Sequence, residues 1–375
     1  MKKYNILTIL LSVLTILVIF ATFFIIPDDV QKYRIIDCHE HIQSIKQADK
    51  TIAAMDRVGI GKVILVGSPW FTITMNEKYG FTRYDWNNSQ LLKIVEKYKG
   101  RFEAWPTINP LDSDKLDKLK SNIEKGATGL KLYTGHGFPS SLHPGTYLFH
   151  PIALDDPTML PIYEYCEKNF IPICFHVNPG PTKPGFAQEL IAVLDAFPDM
   201  KVSVPHYMLS SIMTSRLRTF LETYPNLWTD TSFGFEDYQV AGLKRFSKNV
   251  KKYQDLFREH SDRIMFATDN VITSAGFKTA DWLYEHMQCY VDMLTRDEYT
   301  CSFVKDKQGK VMQLKGLELS EDILEKVFYK NYEEFTSRKP VGTVIKREID
   351  WSRMNTTKLN RKPGQAFPPP ISESK

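Results

Sequence analysis

The chain has 375 residues, 43% of them hydrophobic, a length that buries one large α/β core or two smaller ones. A formal charge of +4, with no basic stripe outside the tail, is too small for a nucleic-acid footprint, so no nucleic-acid partner is expected. Cys38, Cys166, Cys174, Cys289 and Cys301 are scattered, odd in number and lack a C-x-x-C pair, which suggests neither a disulfide framework nor a zinc ribbon.

The first element is an uncharged apolar run over 6–26, preceded by Lys2 and Lys3 and ended by Pro27-Asp28-Asp29. About twenty such residues span a bilayer as a helix. The segment lacks the short core and small-x-small site of a cleaved signal peptide, so residues 1–30 are expected to be an uncleaved membrane anchor. Lysines before the span and acids after it place the N-terminus in the cytoplasm and the main domain on the extracytoplasmic side.

From Arg34 onward, short apolar strands alternate with amphipathic helices. Strands are predicted at 35–42, 62–68, 102–109, 128–135, 171–178, 201–208, 226–233 and 263–270. Helical periodicity marks 113–126, 156–169 and 186–199 between them, then 281–294 and a run from Ser320 that begins with an N-cap. A hairpin or loop separates those last two. Eight strands divided by helices fit a single (β/α)8 TIM barrel over 31–338. The alternative, a doubly wound open sheet, usually carries a glycine-rich phosphate turn after its first strand; here "IIDCHEHI" ends in His-Glu-His instead. Residues 339–375 show little periodicity and read as an extended or disordered tail.

Polar residues cluster at the C-terminal strand ends, where a barrel gathers them into one mouth. The first strand brings His39 and His41, two residues apart and thus on one face, while Cys38 and Glu40 should face away. The fourth brings Lys131, the fifth His176, the sixth His206 and the eighth Asp269. Four histidines, a lysine and an aspartate at equivalent ends point to a metal site. Trp70, Phe71, Tyr133, Asn178, Tyr207, Asp230 and Asn270 stand nearby as pocket lining or loop packing. Arg83 is a candidate clamp for an anionic substrate. His136, His143 and His150 fall in a long loop and are assigned no role.

The segments "DCHEHI", "GLKLY", "ICFHVN", "VPHYM" and "MFATDN" resemble the strand-end motifs of the amidohydrolase superfamily, over about 34–338. "VFYKNYEEF" resembles the terminal helix of its amidohydrolase-related branch, which also holds aminocarboxymuconate semialdehyde and resorcylate-type decarboxylases. The resemblance implies that His39, His41, His176 and Asp269 hold a divalent metal, zinc first, with one ion favoured over two. It implies that Asp269 is also the proton acceptor and that His206 polarises the substrate, steers the nucleophile or ligates a second ion. Lys131 would be a carboxylated bridge between two metals, an anchor for a substrate carboxylate, or the partner of an acid in the barrel. The leading expectation is a hydrolase that cleaves an amide, ester or lactone of a small molecule with a metal-activated water. A non-oxidative decarboxylase on the same scaffold is the alternative, and a membrane-tethered binding module without catalysis the third. Oligomeric state is not legible.

Overall fold

The computed structural model describes residues 34–74, 81–133, 152–177, 186–209, 213–234 and 236–337. Eight strands follow one another: β1 (Ile35–Ile42), β2 (Ile60–Val66), β3 (Phe102–Trp105), β4 (Leu130–Leu132), β5 (Ile173–Phe175), β6 (Val202–Ser203), β7 (Leu227–Asp230) and β8 (Ile264–Met265). The pairings from β1 to β3 and from β4 to β8 are all parallel. A bridge between Thr107 and Lys131 joins β3 to β4. The ring closes where Cys38 N donates to Phe266 O at 2.9 Å and where β9 (Val271–Ile272) pairs with the end of β1. Closure in chain order is a TIM-barrel-like arrangement and overturns the open doubly wound alternative, which would leave two free edges. The strands are shorter than their apolar runs, because the residues beyond each regular pairing bend into the loops that build the mouth.

Helices cover the barrel for the usual reason, an apolar stripe at helical spacing. The helix Ala48–Val58 buries Ala48, Thr51, Ala54, Met55 and Val58, and stops where Gly59 adopts φ 87°. Inside, Ile36, Cys38, Ile64, Val66, Trp105, Cys174, Trp228, Met265 and Ala267 pack together, and Tyr332 and Phe335 of the C-terminal helix close the floor. That helical run widens to a π-turn at Lys326–Lys330, where Val327 O accepts from Phe266 N at 2.8 Å and so docks the run against the end of β8. Ser320 occupies its N-cap position without a side-chain cap bond.

Two expectations need correction. Cys38 lies in the inner cluster and so shares the barrel interior with His39; the cause is a register shift between Asp37 and Glu40 that breaks strict alternation. Cys289 and Cys301 form a disulfide, tying the helix Ala280–Thr295 to β10 (Glu298–Lys305) of a hairpin completed by β11 (Val311–Lys315). The hairpin folds back on the helix, a tertiary contact that cysteine spacing does not encode. The expected anchor at 1–30 and tail at 339–375 lie outside the described residues, as do Asn178, His136, His143 and His150. Among the described residues no helix is long and apolar enough to cross a membrane.

Candidate metal centre

β1 delivers His39 and His41, and the segment after β8 delivers Asp269, whose backbone turns left-handed at φ 52° and whose N–H donates to His39 O at 2.8 Å. The donor atoms converge. Asp269 Oδ1 lies 3.4 Å from His39 Nε2 and 3.2 Å from His41 Nε2, and Asp269 Oδ2 lies 3.7 Å from His206 Nε2. His39, His41 and Asp269 form one buried group with metal-ligand spacing; His39, His206 and Asp230 form another. His206 sits on an unusual support: His206, Tyr207 and Met208 are all left-handed, at φ 61°, 52° and 54°. Such residues cost about 1–2 kcal/mol each and persist only where the surroundings enforce them. Here His206 N donates to Asp230 Oδ1 at 2.9 Å and Met208 N to Thr229 Oγ1 at 3.0 Å.

Behind these groups lies a polar layer. His39 Nδ1 meets Asp230 Oδ2 at 3.1 Å, His206 Nδ1 meets Ser232 Oγ at 2.8 Å, and His41 Nδ1 meets Ser68 Oγ at 2.6 Å. Lys131 is fully buried, with Nζ 3.2 Å from His39 Nε2 and 3.4 Å from Cys174 Sγ. Among the described residues no carboxylate lies within salt-bridge distance of it, so Lys131 does not pair with an acid of the barrel wall. Glu40 is held through Oε1, while its Oε2 has no hydrogen bond among the described residues. Its Oε1 accepts from Asn270 Nδ2 at 2.9 Å and meets Thr268 Oγ1, which also lies 2.7 Å from Asp37 Oδ2, so the two carboxyls share the one hydroxyl proton of Thr268.

Burial lowers the pKa of His39, aided by Lys131, and that of His41; it takes His206 down to about 4. All three imidazoles are therefore neutral at pH 7. Burial alone would raise Asp269, but the three imidazoles outweigh it and hold its carboxyl well below the usual range. Asp230 is likewise held low, the hydrogen bond from His39 overcoming burial. Asp37 goes the other way, pushed by burial to about 7, and Glu40 rises through burial and the neighbouring Asp37.

The chemistry of this set fits a divalent cation. Asp269 Oδ1 is buried and ionised, yet receives no hydrogen bond within the described residues, while neutral imidazole nitrogens face it. An orphaned buried carboxylate oxygen costs several kcal/mol unless a cation balances it.

His176 follows β5 with its ring 5.6 Å from that of His206 and 5.7 Å from Tyr133; it stands beside the two groups rather than within them. Tyr207 is a core residue, stacked on Phe233 and against Phe246. Arg83 is exposed and lies over the rings of Trp70 and Trp86 at 4.1 and 5.3 Å. Ser68 and Ser232 were not expected at all: single serines after a strand carry no signal until the imidazoles they hold are placed.

Comparison with known proteins agrees with this geometry. A family model described as amidohydrolase matches residues 36–335. No curated protein matches the chain. Among solved structures, a putative 2-pyrone-4,6-dicarboxylic acid hydrolase from Pseudomonas putida is similar at TM-score 0.51 and 12% identity, covering 81% of this chain and 98% of that one. A probable hydrolase of the same kind from Acinetobacter baumannii, with citric acid bound, gives TM-score 0.50 and 14% identity over 81% and 99%. A 5-carboxyvanillate decarboxylase from Novosphingobium aromaticivorans, complexed with manganese, gives TM-score 0.48 and 16% identity over 82% and 96%. With four-fifths of its length matched by the family model, the chain belongs to the amidohydrolase family.

Proposed function

We propose that the chain is a metal-dependent hydrolase that cleaves an amide, ester or lactone bond of a small molecule at the C-terminal mouth of the barrel. The observation that carries this reading is Asp269 Oδ1, ionised, buried and without a hydrogen bond among the described residues, set between two imidazole nitrogens. His39, His41 and Asp269, with His176 as the fourth donor, would hold one ion, and three nitrogens with one oxygen suit zinc. Such a cation supplies Lewis acidity and makes hydroxide available near neutral pH. Asp269 accepts the proton of the attacking water and returns it to the leaving group. His206, neutral and facing Asp269 Oδ2, steers the nucleophile, or ligates a second ion if Lys131 is carboxylated.

Lys131 favours one alternative. A buried lysine with no carboxylate partner within the described residues would suit the carboxylate of a substrate, which is what a non-oxidative decarboxylase on this scaffold would bind. We also propose that residues 1–30 anchor the protein and that the barrel lies on the extracytoplasmic side. The Cys289–Cys301 disulfide supports this, since such bonds persist in oxidising compartments.

The test is metal analysis of the purified full chain, followed by assays of lactones, amides and aromatic carboxylates with Zn²⁺ or Mn²⁺ while carbon dioxide is monitored separately. Hydrolysis without carbon dioxide is the expected result. Carbon dioxide release would move the assignment to decarboxylation, and a chain that binds no divalent metal would overturn both.

A further inference from the structure

We propose that one buried carboxylate, Asp230, fixes the tautomers of both His39 and His206, so that each presents an Nε2 lone pair to the face where Asp269 stands. Asp230 is fully enclosed and has four donors around two oxygens. Oδ2 faces His39 Nδ1 at 3.1 Å. Oδ1 accepts from His206 N at 2.9 Å, Ser232 N at 3.1 Å and Ser232 Oγ at 2.6 Å. An ionised carboxylate only accepts, so the proton of His39 must sit on Nδ1. Lys131 Nζ, which only donates, stands 3.2 Å from the other nitrogen and requires its lone pair.

The same reasoning reaches His206 through Ser232. The hydroxyl has one proton, and the short contact to Asp230 takes it. Ser232 Oγ must therefore accept from His206, whose proton is then on Nδ1 and whose Nε2 is bare. Asp230 also holds the His206 main chain in its left-handed turn. It touches no reacting atom in this arrangement; it is a positioning residue. The sequence marks it only as pocket lining, because the residues it acts on are 191 and 24 positions away.

Asp230→Asn tests this with almost no change of shape. An amide has one accepting oxygen where the carboxylate has two. Three donors crowd Oδ1, so the oxygen should stay there and the NH2 should face His39. His39 then has to carry its proton on Nε2, the wrong nitrogen for a ligand. The tautomers are read by long-range ¹H–¹⁵N NMR on the metal-free, histidine-labelled full chain, with His39 assigned by the signal lost in His39→Asn. The expected result is an Nδ1–H His39 and an Nδ1–H His206 in the wild type, and an Nε2–H His39 in Asp230→Asn.

Ser232→Ala should free the His206 tautomer while leaving His39 on Nδ1–H. A change at His39 in that variant would mean general loosening and would overturn the proposal. Zn²⁺ titration provides the second readout and rests on the metal reading above: Asp230→Asn should weaken affinity by about 10–100-fold. An Asp230→Asn protein, folded by circular dichroism, that kept Nδ1–H on His39 and wild-type Zn²⁺ affinity would sink the idea. Because the spectra need no metal, a wild-type chain that failed to bind Zn²⁺ would overturn the hydrolase assignment and leave Asp230 to be judged by the tautomers alone.

Discussion

Asp269 occupies a left-handed backbone position, at φ 52°, that asparagine tolerates as readily as aspartate. Asp269→Asn should therefore fold normally, yet it can neither accept the water's proton nor balance a dication. Turnover on a confirmed substrate is expected to fall by about a hundredfold to ten-thousandfold, as for the loss of a general base; near wild-type turnover would end the mechanism built on it. His206 gives a complementary signature in stability. Its pKa is lowered by burial from 6.5 to about 4, so between those values the unfolded chain binds more protons than the folded one. Stability must then rise with pH across that window and be lost as pH falls through it. The shift corresponds to about 3 kcal/mol. Urea unfolding of the metal-free wild type should lose stability from pH 6.5 to 4 more steeply than His206→Asn does. Equal slopes for the two proteins would contradict the burial argument. Asp37, raised to about 7, contributes in the opposite sense in both, so the comparison isolates the histidine.

At the scale of elements, the strand ends were the most legible part of the chain. Short apolar runs with a period-two polar terminus already placed His39, His41, Lys131, His206 and Asp269 at one mouth, because alternation and barrel closure are enough to bring them together. What depended on tertiary contact was not legible. Asp230 read as possible pocket lining, the three-residue left-handed turn at His206 has no glycine to announce it, and Glu40 was expected to face idly away. The C-terminal helix gives a sharper test of how elements support the site. Phe335 is fully buried, with its ring 5.8 Å from Trp105 and 5.0 Å from Trp228, and it packs in the inner cluster of the barrel. Phe335→Ala should cost about 3–5 kcal/mol by denaturant unfolding. At the end of β2, Gly67 is needed for close approach: a Cβ there would stand 2.3 Å from Thr107 N. Gly67→Ala should cost about 1–3 kcal/mol and shift Ser68, the neighbour that holds His41. A Gly67→Ala protein of wild-type stability would show that the two strand ends have more room than their spacing implies.

For the whole molecule, compartment and covalent structure are linked. The apolar run at 6–26 argues for an anchor with the barrel outside the cytoplasm, and the disulfide between Cys289 and Cys301 is what such a location permits. The bond closes a loop with a sequence separation of 12, for which constraint of the unfolded chain contributes about 3 kcal/mol. It ties the hairpin to the helix Ala280–Thr295, an appendage outside the ring of strands, so its loss should weaken the fold without touching the site. The remaining cysteines, Cys38, Cys166 and Cys174, are buried and free. Chain isolated from membranes and unfolded without reductant should therefore titrate as three thiols, rising to five after reduction. A reporter fused after Lys375 should be reached only from the non-cytoplasmic side. Reductant should lower the urea midpoint of the wild type and leave that of a Cys289→Ser, Cys301→Ser double variant unchanged. Five free thiols in the unreduced chain, together with a reporter shielded from the outer face, would remove both the cross-link and the topology, and with them the case for a barrel that works in an oxidising compartment.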